Sequence, residues 1–407
     1  MRLLFLSPYF FPAESYGGPI AAGLALAQGI AALGHTVRVV TSNADGRETL
    51  AARGGWVTVA PGVEVRYYRR QIGALFAPGM LAGICKEWAE ADGIYVWGMF
   101  LWCLPWVLLH GLVAEKALVI APGGMLAPVA LSRKGLRKRI FLTAMRTLGL
   151  GRAVILATSS GEARDVVRLW PAAKTQVIPH GVDIPDEPSC TRTAAVPSLL
   201  YLGRLDPYKR LEQIVRAFGR ALARHESREA SRHGQRHGVN GKSPSELDPR
   251  TSWSIVIAGG GEPSYRLAVE REAAKVGIAD RVRFAGHVTG EEKATLLANA
   301  EGLVLASYSE NFGMSVAEAL AHGTPCVVTK TAPWEGLDRE GCGFWVDDSE
   351  EALAAGMQRL MALSAEERRA MGERGRAWMR REFSWDSVAR RMLALYEELI
   401  AARKRSS

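Results

Sequence analysis

The sequence predicts an α/β fold in two successive halves, each a parallel sheet flanked by helices, and three observations lead there. Short β-rich runs alternate with helix-patterned stretches along nearly the whole chain. The alternation starts afresh after a segment rich in Pro, Ser and Thr, DIPDEPSCTRTAAVPS at 183–198. The chain has 407 residues, more than one ordinary core accommodates. Strands that alternate with helices imply crossovers and parallel pairing, the Rossmann-like arrangement.

The first half opens with a strand at 3–7 in MRLLFLS; Pro8 and Pro12 end the apolar run, and no small-residue cleavage site follows, which argues against a signal peptide. After a Gly-rich turn comes the helix-patterned IAAGLALAQGIAALG, then the strands HTVRVVTS, VEVRYYR, GIYVWG, ALVIAPGG and VILATSS. Residues 94–114 carry no formal charge and are long enough to span a membrane. Gly98, Pro105 and His110 interrupt them, so a buried strand–loop–helix is preferred. In the second half SLLYLGR, SWSIVIAGGG, DRVRFAGHV, GLVLAS and TPCVVTK read as strands. The expected domains are 1–183 and 199–384, joined by a linker at 184–198. The amphipathic helix at 385–407 ends on basic residues and is expected to cross back to the first domain. Within 224–252 only Ala230, Val239 and Leu247 are aliphatic, which predicts a mobile insertion. His233 and His237 there have i,i+4 spacing, with His225 nearby, but lack a firm fourth ligand, so no metal is expected.

Composition narrows the function classes. Hydrophobic content of 48% and charged content of 23% are globular. The net charge of +9 spreads 51 basic over 42 acidic residues, which gives no strong case for a nucleic-acid partner. Five cysteines without a CxxC pair fit a reduced, cytoplasmic compartment.

Ligands of open α/β sheets sit at the carboxyl ends of the strands, and three motifs lie there. In SENFGMSVAEALAHG a polar turn runs into a helix whose first amides suit a phosphate. Gly313 would let a ligand approach the backbone, Glu310 could accept from sugar hydroxyls, and Glu318 could hold a ribose diol. A capped helix with a dipole-favoured Glu318 is the plainer reading of that motif alone. In YLGRLDPYKRLEQ, Arg204 and Lys209 place two cations where a diphosphate could bind, one a planar fork and one a movable point charge. A solvated basic turn is the alternative, weakened by the glycine-rich AGGGE that ends the next strand. The third motif, ESYGGPI, brings Gly17 and Gly18 before the first helix; a GG pair by itself is more often a simple turn.

The ordered set GG, GRL-x3-K, AGGGE, RVRFAGHV and E-x7-E, with EALAHGTPCV and VIPHGVD, resembles family 4 of the retaining glycosyltransferases over nearly the whole chain outside 224–252. The resemblance implies a GT-B fold, two Rossmann-like domains facing a central cleft. It implies that Glu310 contacts the donor sugar, with the amides of Asn311, Phe312 and Gly313 near sugar and phosphate. Glu318 would bind the ribose, and the base would lie against the segment from Val288 to Lys293. Arg204 and Lys209 would neutralise the departing diphosphate in place of a metal, with Gly17 and Gly18 closing over it. No cofactor is implied beyond a nucleotide-diphosphate sugar as co-substrate. One departure stands out: where relatives carry a His or Arg, this chain reads APGGMLAP, with Gly123 and Gly124. His180, in the HGVD turn, is expected to position rather than to act as a base.

The expected activity is transfer of a sugar, of the hexosyltransferase type, to a glycan or lipid-linked acceptor in surface polysaccharide or lipopolysaccharide assembly. A non-catalytic nucleotide-sugar binder and a GT-B epimerase are the alternatives; a dinucleotide oxidoreductase is disfavoured because neither half shows a full GxGxxG. Residues 130–152 place Arg133, Lys134, Arg137, Lys138, Arg139, Arg146 and Arg152 among Leu, Ile and Phe. That pattern is either a solvated helix face or a contact with anionic lipid on the inner face of the plasma membrane.

Overall fold

The central strands of both sheets, such as ALVIA at Ala117–Ala121 and SIVIA at Ser254–Ala258, are hydrophobic almost without alternation, because helices cover both sheet faces. In β1 (Arg2–Leu6) the period of two still sorts the side chains. Leu3 and Phe5 pack on one face with Tyr95 and Val119, whereas Leu4 and Leu6 pack on the other with Ile94 and Ile120. The structure is a computed structural model and describes all residues except 14, 16–17, 52–53, 72–75, 114–115, 133–134, 187–195, 237–252 and 406–407.

Two compact units result, Met1–Gly181 with Phe383–Ser407, and Val182–Glu382. In the first, β1 is followed by α1 (Gly18–Ala32), β2 (Thr36–Ser42), the short ribbon β3 (Ala44–Asp45) and β4 (Glu48–Thr49), β5 (Val57–Ala60) and β6 (Val63–Tyr68). Then come α2 (Gly79–Trp88), β7 (Gly93–Trp97), α3 (Leu104–Val113), β8 (Ala117–Ala121), α4 (Pro128–Ser132) and α5 (Gly135–Thr147). β9 (Val154–Ala157), α6 (Ser160–Leu169) and β10 (Lys174–Val177) complete this stretch. The eight-stranded sheet has the order β10-β9-β8-β7-β1-β2-β6-β5. Its pairs are parallel except β5 with β6, which only Pro61 and Gly62 connect, too short a link for a crossover.

The second unit contains β11 (Ser198–Leu202), α7 (Leu211–Arg236), β12 (Ser254–Ala258), α8 (Pro263–Val276), β13 (Val282–Gly286) and α9 (Gly290–Asn299). It continues with β14 (Gly302–Leu305), α10 (Met314–Ala321), β15 (Cys326–Thr329), α11 (Gly336–Arg339), β16 (Gly343–Val346), α12 (Glu350–Met361) and α13 (Ala365–Trp378). Its six-stranded, all-parallel sheet runs β13-β12-β11-β14-β15-β16. The last helix, α14 (Trp385–Lys404), belongs to the first unit, where Val388, Met392 and Tyr396 join the core beside β1. The Tyr396 hydroxyl donates to the Ile94 carbonyl at 2.9 Å.

Three sequence readings change. Residues 224–236 are helix, not mobile loop, because α7 continues to Arg236; residues 237–252 lie outside the described residues. Sparse aliphatics concealed good helix formers that bind sideways. Arg220 Nε reaches Glu350 Oε1 at 2.6 Å and Arg224 Nη2 reaches Glu351 Oε1 at 2.7 Å, both on α12. The ribbon β3–β4, β5, β10 and β16 also escaped the sequence reading, being short and at sheet edges or outside the main sheets. Finally, the units divide at Gly181–Val182, just before the expected boundary, and the second ends at Glu382. Residues 94–113 are a buried strand, a loop and helix α3, residue 114 lies outside the described residues, and no helix among the described residues is long and apolar enough to cross a membrane.

Candidate functional site

In the second unit the chain winds from β11 outward to β13, then returns to β14 on the other side of β11. The connections after β11 and β14 therefore diverge, and such a switch point leaves a crevice at the carboxyl ends of the strands. Both motif loops start there. They are tied by a hydrogen bond from the Tyr308 amide to the Tyr208 carbonyl at 3.1 Å. Lys209 ends a short 3₁₀ turn, Pro207–Lys209, which Asp206 caps by accepting from the Tyr208 amide at 2.9 Å. Arg210 follows with φ of 54°, a left-handed kink that sends the chain into α7; its guanidinium lies 4.8 Å from the Tyr308 ring centre.

Across the switch point the Lys209 ammonium forms an ion pair with Glu310 Oε1. The Ser307 hydroxyl donates to the same oxygen at 2.8 Å. Both charged side chains are mostly buried, and the Glu310 amide donates to the Thr331 carbonyl at 3.0 Å. Asn311, Phe312 and Gly313 complete the loop. Gly313 has φ of 85°, which a side chain would strain, and an added Cβ would sit 3.2 Å from Trp334 Nε1. That indole donates to the Phe312 carbonyl at 2.6 Å. A turn further on, Glu318 Oε1 accepts from Lys293 Nζ of α9 at 3.0 Å.

The two ion pairs gather Lys209 with Glu310, and Lys293 with Glu318. Val288 is buried between β13 and α9. Arg204 stands apart from this group: its side chain is 74% exposed, and its nearest carboxylate is Asp206, at 3.7 Å. The glycines of AGGGE have a packing reason of their own. A Cβ on Gly259 would lie 1.8 Å from the Gly203 carbonyl oxygen, and one on Gly261 would lie 2.2 Å from that of Leu205. The loop after β12 thus lies directly on the backbone after β11, and Gly259 and Gly261 give no independent support for a phosphate.

In the first unit Gly18 opens α1, and Gly17 lies outside the described residues. Gly123 and Gly124 have φ of 57° and 80°. The Gly124 amide donates to Glu162 Oε1 at 2.6 Å, while Glu162 Oε2 accepts from the Thr158 amide and hydroxyl at 2.7 and 2.9 Å. His180 stacks on Trp97 with ring centres 6.1 Å apart, and desolvation pushes its pKa down to about 4. It is therefore neutral near pH 7.

The model described as "Glycosyl transferases group 1" matches residues 195–378, and that described as "Glycosyltransferase Family 4" matches residues 22–185. The chain belongs to glycosyltransferase family 4. Within the family it is 27% identical to a D-inositol 3-phosphate glycosyltransferase of Streptomyces avermitilis, over 99% of this chain and 89% of that protein. It is 36% identical to an MMP alpha-(1->4)-mannosyltransferase of Mycolicibacterium hassiacum over 32% of this chain. That match spans 33% of the relative's length, and matches to D-inositol 3-phosphate glycosyltransferases of Salinispora tropica and Nocardia farcinica span 39% and 61% of theirs. The crystal structure of HepE from Anabaena in complex with UDP-glucose superposes with a TM-score of 0.65 at 19% identity, covering 100% of both chains. The fold is GT-B, two Rossmann-like units.

Sequence reasoning singled out both glutamates, Lys209 and Lys293, but not the residues that hold them. Ser307 was legible in principle, three positions before Glu310 on the same loop. Trp334 and Thr331 come from the loop after β15, and nothing local in the sequence points from them to Glu310 or Phe312.

Proposed function

We propose that this family 4 member transfers a sugar, with retention, from a nucleotide-diphosphate donor to a glycan or lipid-linked acceptor. The observation that carries the reading is the half-buried Lys209–Glu310 pair across the β11/β14 switch point, beside the left-handed Gly313 that opens α10. A cation, a carboxylate and the amino end of a helix, brought together at one strand edge, match the three parts of such a donor. Lys209 would meet the diphosphate, the amides from Asn311 to Gly313 would meet phosphate and sugar, and Glu310 would accept from sugar hydroxyls. Glu318 would hold the ribose, with the base against the segment from Val288 to Lys293. Charge grows on the leaving oxygen as the anomeric bond breaks, so a cation already held in place favours the transition state over the ground state. Arg204 would add its charge from the rim. The departing phosphate would take the acceptor proton, giving same-face attack without an enzyme nucleophile and without a metal.

The HepE complex, which holds UDP-glucose on the same fold, supports a nucleotide-sugar donor. Helix α5 supports a membrane-borne acceptor. Its inward side buries Leu142 and Met145, yet Leu136 and Ile140 are 75% and 62% exposed beside Arg137 and Arg139. Leu136 and Ile140 are one turn apart and flanked by arginines, the combination an interfacial helix uses. Surface polysaccharide assembly, at the inner face of the plasma membrane, is the setting this combination fits.

A panel of UDP-, GDP- and ADP-sugars in a thermal-shift assay, followed by transfer assays with the stabilising donor, tests the reading. One donor class should raise the unfolding temperature, and Lys209→Ala should lower turnover tenfold to a thousandfold. No stabilising sugar nucleotide, or near-normal turnover in Lys209→Ala, would refute it. Because Gly123 and Gly124 offer no side chain on the acceptor side, a second reading is a donor-binding protein without catalysis; it predicts tight donor binding with no turnover on any acceptor.

A further inference from the structure

The first unit has another concave feature, at the amino ends of β8, β9 and β10, the edge opposite the strand ends that carry the Gly123–Gly124 loop. A cleft of about 330 Å³ opens there, under the last turns of α14. Four cations line it, each from a different element: Lys116 before β8, Arg152 of the short turn Leu150–Arg152, Lys174 of β10 and Arg403 of α14. Neither Asp nor Glu is among the lining residues, and Leu118 and Leu399 supply apolar wall.

Elsewhere in the unit carboxylates do meet cations, as Glu87 Oε2 meets Arg38 Nη1 at 2.6 Å, but none of them lines this cleft. Among the described residues, Arg152 and Lys174 form no ion pair with a carboxylate. Lys116 is anchored by donating to the Ala89 carbonyl at 3.2 Å, which leaves two of its three hydrogens for other acceptors. Four like charges around one hollow repel each other, and low-dielectric walls focus their field into it. The volume is several times that of a water and lies within the range of small-molecule sites.

We propose that this cleft binds a phosphate-bearing anion. A phosphate monoester or diphosphate matches it better than a single carboxylate, because it brings about two negative charges and oxygens that guanidinium forks grip in pairs. The apolar wall accommodates whatever carries the phosphate, either a small soluble molecule or the head of an anionic lipid. The cleft lies wholly within the first unit and does not depend on the donor reading above.

Inorganic pyrophosphate titrated calorimetrically into the full chain at low salt reads the first source. Lys209→Ala serves as the background, so that the crevice of the second unit does not contribute. Arg152→Glu with Lys174→Glu, both exposed positions, should weaken pyrophosphate at least tenfold in that background while the unfolding temperature in phosphate-free buffer stays unchanged. Should charge reversal impair folding, Arg152→Gln with Lys174→Gln makes the same comparison. Co-sedimentation with vesicles of phosphatidic acid in phosphatidylcholine reads the second source, in a Leu136→Asp, Ile140→Asp background that removes the exposed apolar side chains of α5. A tenfold loss with pyrophosphate assigns a soluble phosphate, and a loss with vesicles alone assigns a lipid head group. Equal binding by the charge-altered and parent proteins in both measurements would overturn the proposal.

Discussion

Glu310 and Glu318 sit on the same short stretch, yet their surroundings give them different work. Glu310 is held on one oxygen by Lys209 and Ser307, at the point where two loops diverge, whereas Glu318 reaches from α10 to Lys293 of α9. Removing Glu318 should therefore leave the chemistry standing and loosen the donor. We expect Glu318→Ala to raise the donor dissociation constant roughly ten- to a hundredfold, the scale of one charge-assisted hydrogen bond, with turnover at saturation little changed. Titration calorimetry with the matched donor measures this, and an unaltered constant would remove the ribose contact. His180 makes a pH prediction. Its pKa falls from 6.5 to about 4 on folding because burial disfavours the imidazolium. The unfolded chain therefore binds the extra proton more readily, and this contribution is complete above pH 6.5 and is lost as pH falls toward 4. Denaturant midpoints for wild type and His180→Gln should converge as pH drops through that window; parallel curves would show that the imidazole does not titrate so low.

At the level of elements, α14 shows how a terminal helix can be part of a core far away in sequence. Gly93 gives the Tyr396 ring its place: a Cβ there would lie 2.5 Å from that ring. Gly29 likewise lets α1 approach α14, with an added Cβ 3.1 Å from the Trp385 carbonyl oxygen. Met392 is buried in the same cluster as Leu3 and Val39. Its truncation should act as a core cavity rather than as surface trimming: Met392→Ala is expected to destabilise the protein by about 2–5 kcal/mol in chemical denaturation. A change below about 0.5 kcal/mol, the scale of surface substitutions, would mean that the helix end is dispensable. Gly259 and Gly261 argue in the same way, since they answer to a neighbouring backbone.

For the whole molecule, the balance of interest is between a charge that is spread and one that is collected. The net +9 is modest for 407 residues, but α5 and the cleft beneath α14 concentrate part of it on the first unit. If α5 rests on a membrane, its two exposed aliphatics and its arginines should act together. The wild-type chain is expected to co-sediment with vesicles rich in anionic lipid at low salt, and Leu136→Asp with Ile140→Asp should reduce the bound fraction several-fold. Failure of wild type to co-sediment would leave α5 a solvated face.

Much of this protein was legible without coordinates. Alternating strand and helix patterns announce parallel sheets, because both periods are local and each apolar run must bury its own surface. The charged and glycine positions of the candidate site could also be named, since a phosphate or a sugar demands particular residue types next to a strand end. What the sequence could not decide depends on contacts between distant segments. Trp334 supports Phe312 across the tip of the sheet, Glu162 fixes Gly124, α14 completes the first core, and four cations from four elements surround one hollow. Each of these is a meeting of residues with no shared local pattern. Only the packed chain brings them within hydrogen-bond or van der Waals reach, and there burial and charge settle what each can do.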